Sequence, residues 1–386
     1  VTHLLMISLD SSLLGDPHGN TVTRHIAYAE RVGQISVIVY NPASAPKSIT
    51  HLSDRLTVYP TNVPTPYLFP FVAFWRGVRV HRRQRADLIT TQDPFATGLI
   101  GLLLKWALRL PLNVQNHSTF FNNQAWIAER PLRNRALHAI GKFVVKRADT
   151  HRVLTEGEKK HYLAMGIPAE RVIVLPTPTD VALFAVPQPP ERIAALRDSL
   201  GLAPDTPVIL WVGLPAPVKH VELLLEAFRR VRRTHPAARL VMVGDFSRRP
   251  EFVQEARVEG VIFPGRVAHG DLPAYYQMAS VYAHSSRYEG FGKVLVEALA
   301  AGTPVVSTDG DGPRDIVREG ETGLLTPHTP GALAAAIAAL LDDPERARAM
   351  GAAGQADVLA RFEYTRQLDA VAETFAHTLE VARKGG

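Results

Sequence analysis

Short apolar runs alternate with amphipathic stretches along nearly the whole chain. The pattern predicts strands at His3–Leu9, Ile35–Tyr40, Leu56–Tyr59, Leu88–Thr91, Leu112–Asn116, Thr150–Leu154 and Val172–Leu175. It predicts a second set at Val208–Val212, Leu240–Val243, Val261–Phe263, Val281–Ala283 and Pro304–Ser307. Gly, Pro, Asp and Asn bound these runs, and apolar positions between them recur at helical spacing. Strands apolar on both faces belong to parallel sheets covered by helices on either side. The pattern runs twice, so the expectation is α/β, two Rossmann-like domains in tandem. In such sheets ligands bind beyond the carboxyl ends of the strands, which directs attention to a cleft between the domains.

Length agrees with this division. The chain has 386 residues, whereas single cores stop growing at about 250–300. The segment Ala185–Pro190, AVPQPP, is stiff and poor in backbone donors, and it is expected to join the domains. Tyr364–Arg383 reads as one amphipathic helix with Leu368, Val371, Phe375 and Leu379 on a stripe.

Composition narrows the classes. Apolar residues make up 46% and charged residues 21%, the balance of a globular chain. There is no cysteine, so disulfide scaffolds and thiolate metal sites are excluded. The most apolar stretch, Thr97–Leu104, stops at Lys105, well short of the ~20 residues of a membrane span. VTHLLMISLD reads as a first strand and not as a signal peptide, which predicts a cytoplasmic protein. Residues 1–184 carry 21 Lys+Arg and 12 Asp+Glu, against 22 and 25 in the remainder. A basic half joined to a mildly acidic one suits a face that meets an anion.

The densest chemistry lies in Ser285–Gly302, SSRYEGFGKVLVEALAAG, directly after a predicted strand. Glu289 falls in the loop before a helix and Glu297 inside it, about 12 Å apart along the axis at ~1.5 Å per residue. Gly290, Phe291 and Gly292 between them gather backbone N–H groups at the positive end of the helix dipole. A diphosphate seated there has one carboxylate near each end, one suited to sugar hydroxyls and the other to a ribose. Read singly, Glu289 is equally an ordinary surface residue. Glu297 is surrounded by Val294, Leu295, Val296, Ala298 and Leu299, and a buried carboxylate needs a partner.

Glu289 and Glu297 match the E-x7-E motif of retaining glycosyltransferases with the GT-B fold. The following ALAAGTPVVSTDGDGPRDIVREGETGLLTP is similar to family four of that group (glycosyl transferases group 1). The resemblance spans essentially the whole chain and is strongest over residues 205–330. It implies two Rossmann-like domains whose parallel sheets face across a cleft. Residues 1–184 with the returning helix 364–386 would bind the acceptor, and residues 185–363 the nucleotide sugar. By the same resemblance Glu289 holds the transferred sugar and Glu297 the ribose. Gly213, Arg266, Val267, Gly290, Phe291, Gly292, Lys293 and Val294 then line the donor site. The implied donor is a UDP- or GDP-sugar, the acceptor a glycan or lipid-linked sugar, with no cofactor, metal or nucleic acid involved.

Trp211–His220, WVGLPAPVKH, leads into a helix expected from about Val218. The family carries Arg directly after the glycine and Lys five residues later; Lys219 is present, but Leu214 stands at the Arg position. A lysine opposing the dipole at a helix start indicates an anionic partner. Arg266, Arg287 and Arg24 are the candidates to replace the missing cation. In LLGDPHGN, Gly19, ahead of Gly15, forms the close-approach loop after strand one, a position that an ordinary β–α turn also explains. His117 ends a strand where the family places a histidine against the sugar, although a turn cap suits the same position. His18, His25 and His220 are further histidines without an assigned role, and Asp309-Gly310-Asp311 terminates a strand and is not read as a metal motif.

Tyr67–Arg85 interleaves aromatics with Arg76, Arg79, Arg82, Arg83 and Arg85. One reading is a helix with solvated arginines; the other is an anionic membrane surface met by a peripheral protein. The resemblance implies transfer of a hexose or N-acetylhexosamine with retention. A sugar-nucleotide epimerase or phosphorylase, and a non-catalytic nucleotide-sugar-binding module, are the alternatives.

Overall fold

The computed structural model describes residues 3–15 and 19–385. The chain divides into two compact units, residues 1–176 with 365–386, and residues 177–364.

The first unit is built on an eight-stranded sheet in the order β3-β4-β2-β1-β5-β6-β7-β8. The strands are β1 (His3–Ser8), β2 (Gln34–Val39), β3 (Thr50–Ser53), β4 (Leu56–Pro60), β5 (Leu88–Thr91), β6 (Leu112–Gln115), β7 (Thr150–Val153) and β8 (Val172–Val174). All pairs are parallel except β3–β4, which is antiparallel at the sheet edge. Strand β3, THLS, escapes the apolar-run criterion because an edge strand exposed on one side needs no continuous apolar sequence. Leu5, Ile7, Ile38, Ile89, Leu112 and Val114 form the core under the helices Phe69–Gln84 and Ala96–Leu108. The helix Tyr364–Gly385 is part of this unit. It buries Leu368, Val371 and Phe375, and Thr378 Oγ1 lies 2.7 Å from Thr150 Oγ1 on β7.

The second unit has a six-stranded, wholly parallel sheet in the order β11-β10-β9-β12-β13-β14. Its strands are β9 (Val208–Val212), β10 (Arg239–Val243), β11 (Val261–Gly265), β12 (Val281–His284), β13 (Val305–Thr308) and β14 (Gly323–Thr326). The helix Val221–Thr234 buries Val221, Leu224, Leu225, Phe228 and Val231 against Ile209, Trp211 and Leu240. Chain order reverses at β9, which has β10 on one side and β12 on the other. That switch point is where an open α/β sheet leaves a crevice for ligand.

The change of unit falls at residues 176/177, eight residues before the expected boundary at 184/185. The proline segment is not a free linker. The helix Val181–Ala185 sinks Phe184 against Tyr276 and His269 of the second unit. Gln277 then ties the segment down, donating to the carbonyls of Phe184 and Val186 and accepting from Gln188 N–H at 2.8 Å. Among the described residues no helix is long and apolar enough to cross a membrane.

Candidate functional site

In the second unit the chemistry collects beyond the carboxyl ends of β9 and β12. After β9 the chain passes Gly213 and Leu214, the latter 66% exposed, and enters a short turn, Pro217–Lys219. His220 has φ of +42° and separates this turn from the α-helix, which begins at Val221 and not near Val218 as expected. Two hydrogen bonds fasten the turn to the loop after β12. Arg287 N–H donates to Val218 O, and Ser285 Oγ donates to Lys219 O, both at 2.8 Å.

So held, the Lys219 ammonium forms an ion pair with Glu289, both groups being largely buried. His284 Nε2 lies 3.3 Å from the same carboxylate oxygen, and Ser286 Oγ donates to it at 3.4 Å. Burial opposes the charge on Glu289, but His284 and Lys219 outweigh it and hold its pKa at about 2. Burial pushes the His284 imidazole below its ordinary range. Within the chain the Lys219 ammonium thus already meets a carboxylate.

Glu297 sits in the helix Lys293–Ala300 and is buried. Tyr276 Oη donates to its Oε2 at 2.9 Å, and His269 Nε2 stands 3.9 Å from its Oε1. Burial and the Glu297 charge push the Tyr276 hydroxyl well above its ordinary pKa. The neighbouring Tyr282 hydroxyl is pushed well above its ordinary pKa by burial and by the charges of Glu297 and Glu289. It donates to Val212 O at 3.4 Å.

The helix carrying Glu297 starts at Gly292, whose φ of +100° suits glycine and which offers no side-chain cap to the first-turn N–H groups. Lys293 and Val294 form that first turn, while Phe291 is buried against Phe362. The loop before them leans on Gly312, where a β-carbon would fall 2.4 Å from Phe291 O and 2.9 Å from Glu289 O. Arg266 and Val267 follow β11. Arg266 is exposed and borders two cavities of about 510 Å³, one lined by Gly244, Asp245 and Phe263, the other by Val267, Ala268 and Tyr275. Asp309 is engaged by both arms of Arg314 at 2.5 and 2.7 Å. Among the described residues no cluster of three or more His, Cys, Asp and Glu is arranged for a metal ion.

In the first unit His117 follows β6, and its Nε2 donates to Gln92 Oε1 at 2.8 Å. Burial lowers its pKa to about 3, helped by Arg152, Arg24 and His25, so the ring is neutral at physiological pH and accepts hydrogen bonds at Nδ1. Gly19 opens the helix Asn20–Val32, which carries Arg24 and His25. Gly15 lies in a turn closed on Ser12 O, and His18 is outside the described residues. Arg152 is buried and donates to Gln115 Oε1 and to the carbonyls of Leu175 and Pro176.

Glu289, Lys219, Glu297 and the glycine loop therefore gather in the second unit, and His117, Gly19 and Arg24 in the first. Sequence reasoning missed His284, Tyr276, Gly312 and Gln92. No motif marks them; the one available signal was that a buried Glu297 requires a donor, and Tyr276 supplies it.

Residues 20–178 match the sequence model of the glycosyl transferase 4-like domain, and residues 193–357 that of glycosyl transferases group 1. The chain is 34% identical over 296 residues to a D-inositol 3-phosphate glycosyltransferase of Kineococcus radiotolerans, covering 70% of this chain and 67% of the relative. The fold is shared with sucrose-phosphate synthase of Thermosynechococcus elongatus (TM-score 0.80, 24% identity, 97% and 98% of the two chains). It is shared too with Anabaena HepE in complex with UDP and glucose (TM-score 0.75, 21% identity, 97% and 100%). Both units of this chain are thus accounted for by one family, and the protein belongs to the group 1 glycosyltransferases of the GT-B fold.

Proposed function

We propose that this chain is a retaining glycosyltransferase that moves a hexose or N-acetylhexosamine from a UDP- or GDP-sugar to a glycan or lipid-linked acceptor. The second unit holds the donor and the first unit carries the acceptor. The observation that carries the reading is the Lys219–Glu289 pair, with Glu297 eight residues further on, buried on Tyr276. A sugar hydroxyl finds an ionised acceptor at Glu289, whose low pKa keeps it charged throughout the working range. A ribose hydroxyl finds one at Glu297. The diphosphate lies between them, with Lys219 and the backbone N–H groups of the Gly290–Gly292 loop to take its charge.

The bond from the anomeric carbon to the phosphate oxygen breaks with its electrons on the diphosphate. The acceptor oxygen forms the new bond on the same face, and its proton passes to the departing phosphate oxygen. His117, with a pKa of about 3, is too weak a base to take that proton. Anabaena HepE, known in complex with UDP and glucose, supports the donor class.

Calorimetric titration of UDP, GDP and their sugars tests the assignment. One nucleotide sugar is expected to bind, and Glu297→Ala to abolish binding. No binding by any of them rules out the donor site. Binding without transfer to any acceptor leaves a nucleotide-sugar-binding module in place of an enzyme.

A further inference from the structure

The first unit carries an outward face that the sugar-transfer site does not use. From Tyr67 the exposed positions recur every four residues as Tyr67, Phe71, Trp75, Arg79 and Arg83, one stripe along the helix Phe69–Gln84 and the turn before it. The aromatics stand out from the surface: Tyr67 is 87%, Phe71 68% and Trp75 66% exposed. Large aromatics this exposed are uncommon on a surface facing only water.

The face extends over neighbouring helices. The helix Ala96–Leu108 packs beside the first and exposes Leu103 and Trp106. The helix Pro131–Val145 packs on the other side of it and exposes Phe143, whose ring meets Trp106 edge-on at 6.5 Å. Arg147 lies 3.9 Å above the Phe143 ring. Around these apolar groups positive charge predominates. Residues 66–148 hold thirteen Lys and Arg against three Asp and Glu, and no acidic residue lies between Asp54 and Asp87.

We propose that this three-helix face docks on the anionic surface of a lipid bilayer, with Tyr67, Phe71, Trp75 and Trp106 entering the headgroup region and the arginines meeting lipid phosphates. Charge complementarity selects this occupant. A second copy of the chain would bring basic face to basic face. Trp and Tyr project outward here as they do at membrane–water interfaces, where an apolar ring body and a polar tip are both satisfied. The arrangement is that of a protein lying on the membrane, since aromatic burial is shallow and the basic residues remain at the surface. The inference does not depend on the donor-site reading, and vesicle binding and nucleotide binding succeed or fail separately.

The full chain is floated with vesicles of phosphatidylcholine containing phosphatidylglycerol, and with vesicles of phosphatidylcholine alone. Flotation is expected with the first and not the second, and to weaken in high salt. Arg79→Gln and Arg83→Gln should each lower partitioning about fivefold. Phe71→Ser with Trp75→Ser should remove what survives in salt, while Leu359→Ser on the second unit changes nothing. These side chains are exposed, so thermal melting is expected to be unchanged in every variant. No flotation at low salt overturns the proposal, as does flotation that both variant sets leave intact. Retention by double-stranded DNA in place of vesicles, or self-association lost in Phe71→Ser with Trp75→Ser, also overturns it.

Discussion

Tyr276 Oη donates to Glu297 Oε2 at 2.9 Å, both groups buried and twenty-one residues apart in the chain. A carboxylate enclosed by an apolar helix is costly unless a donor meets it, and Tyr276 is that donor. Tyr276→Phe should therefore lower stability by about 1.5–3 kcal/mol, as expected for a buried hydrogen bond to a charged group. It should also weaken nucleotide binding, because Glu297 loses its orientation. Urea unfolding beside calorimetry checks both. Full stability with full affinity would mean that Glu297 is held by something other than this bond.

The Lys219–Glu289 pair makes a different prediction. Lys219→Met removes the cation and leaves Glu289 with His284 and Ser286 as neighbours. Turnover should fall about 10²–10³-fold, the usual loss when one charge-stabilising donor is removed. Donor affinity should fall less, because Glu297 and the glycine loop are intact. Glu289→Gln should reduce turnover while leaving nucleoside diphosphate binding nearly unchanged, since it addresses the sugar. Equal loss of affinity for UDP-sugar and UDP in Glu289→Gln would contradict that division.

Most of the strand framework was legible because buried parallel strands are continuous apolar runs, as Val208–Val212 and Val281–His284 show. Two strands were not. Thr50–Ser53 is a half-exposed antiparallel edge, and Gly323–Thr326 is four residues opened by a glycine, so neither displays the pattern. At the site, Glu289 and Glu297 could be singled out because their spacing around a glycine loop is local in sequence. Their partners could not. His284 and Tyr276 reach the carboxylates only through the sheet packing, and local sequence does not encode which side chains the fold brings to a carboxylate. The proline segment was legible as a stiff connection, but its anchoring to the second unit was not, because that depends on the burial of Phe184 against Tyr276.

Leu214 is exposed where the family carries arginine. Leu214→Arg should raise turnover at least about tenfold if the diphosphate lacks a second cation. An unchanged rate would show that another cation already serves. Arg287→Ala, Arg266→Ala and Arg24→Ala then identify it by which one alone lowers turnover. Arg287 is tied to the Lys219 turn through its backbone, its N–H being bonded to Val218 O.

Gly312 tests the glycine loop without touching a charged group. An alanine β-carbon there would meet Phe291 O at 2.4 Å and Glu289 O at 2.9 Å, both backbone atoms that cannot swing aside. Gly312→Ala should cost about 1–3 kcal/mol from overpacking and weaken donor binding by displacing the loop. Gly310→Ala is the control, because its nearest neighbour would be Pro313 Cδ at 3.8 Å. Equal behaviour of the two variants would remove Gly312 from the positioning of Glu289.

Stability should fall as the solution is acidified from pH 6.5. His25, His117 and His151 lie in the first unit, and burial lowers their pKa values to about 4, about 3 and about 3. The unfolded chain binds a proton at each near the ordinary value of 6.5, whereas the folded chain binds none of the three until well below it. Between these values unfolding takes up protons, so stability is present at neutral pH and is lost as pH falls. With these three histidines contributing fully, the slope approaches about 4.1 kcal/mol per pH unit. Glu289, held at about 2, adds a further loss only below its ordinary value of 4.5. Urea unfolding from pH 7 to pH 5 measures the slope, and His151→Leu should remove about a third of it. A stability flat over that range would show that these rings take up protons as readily in the folded chain as in the unfolded one.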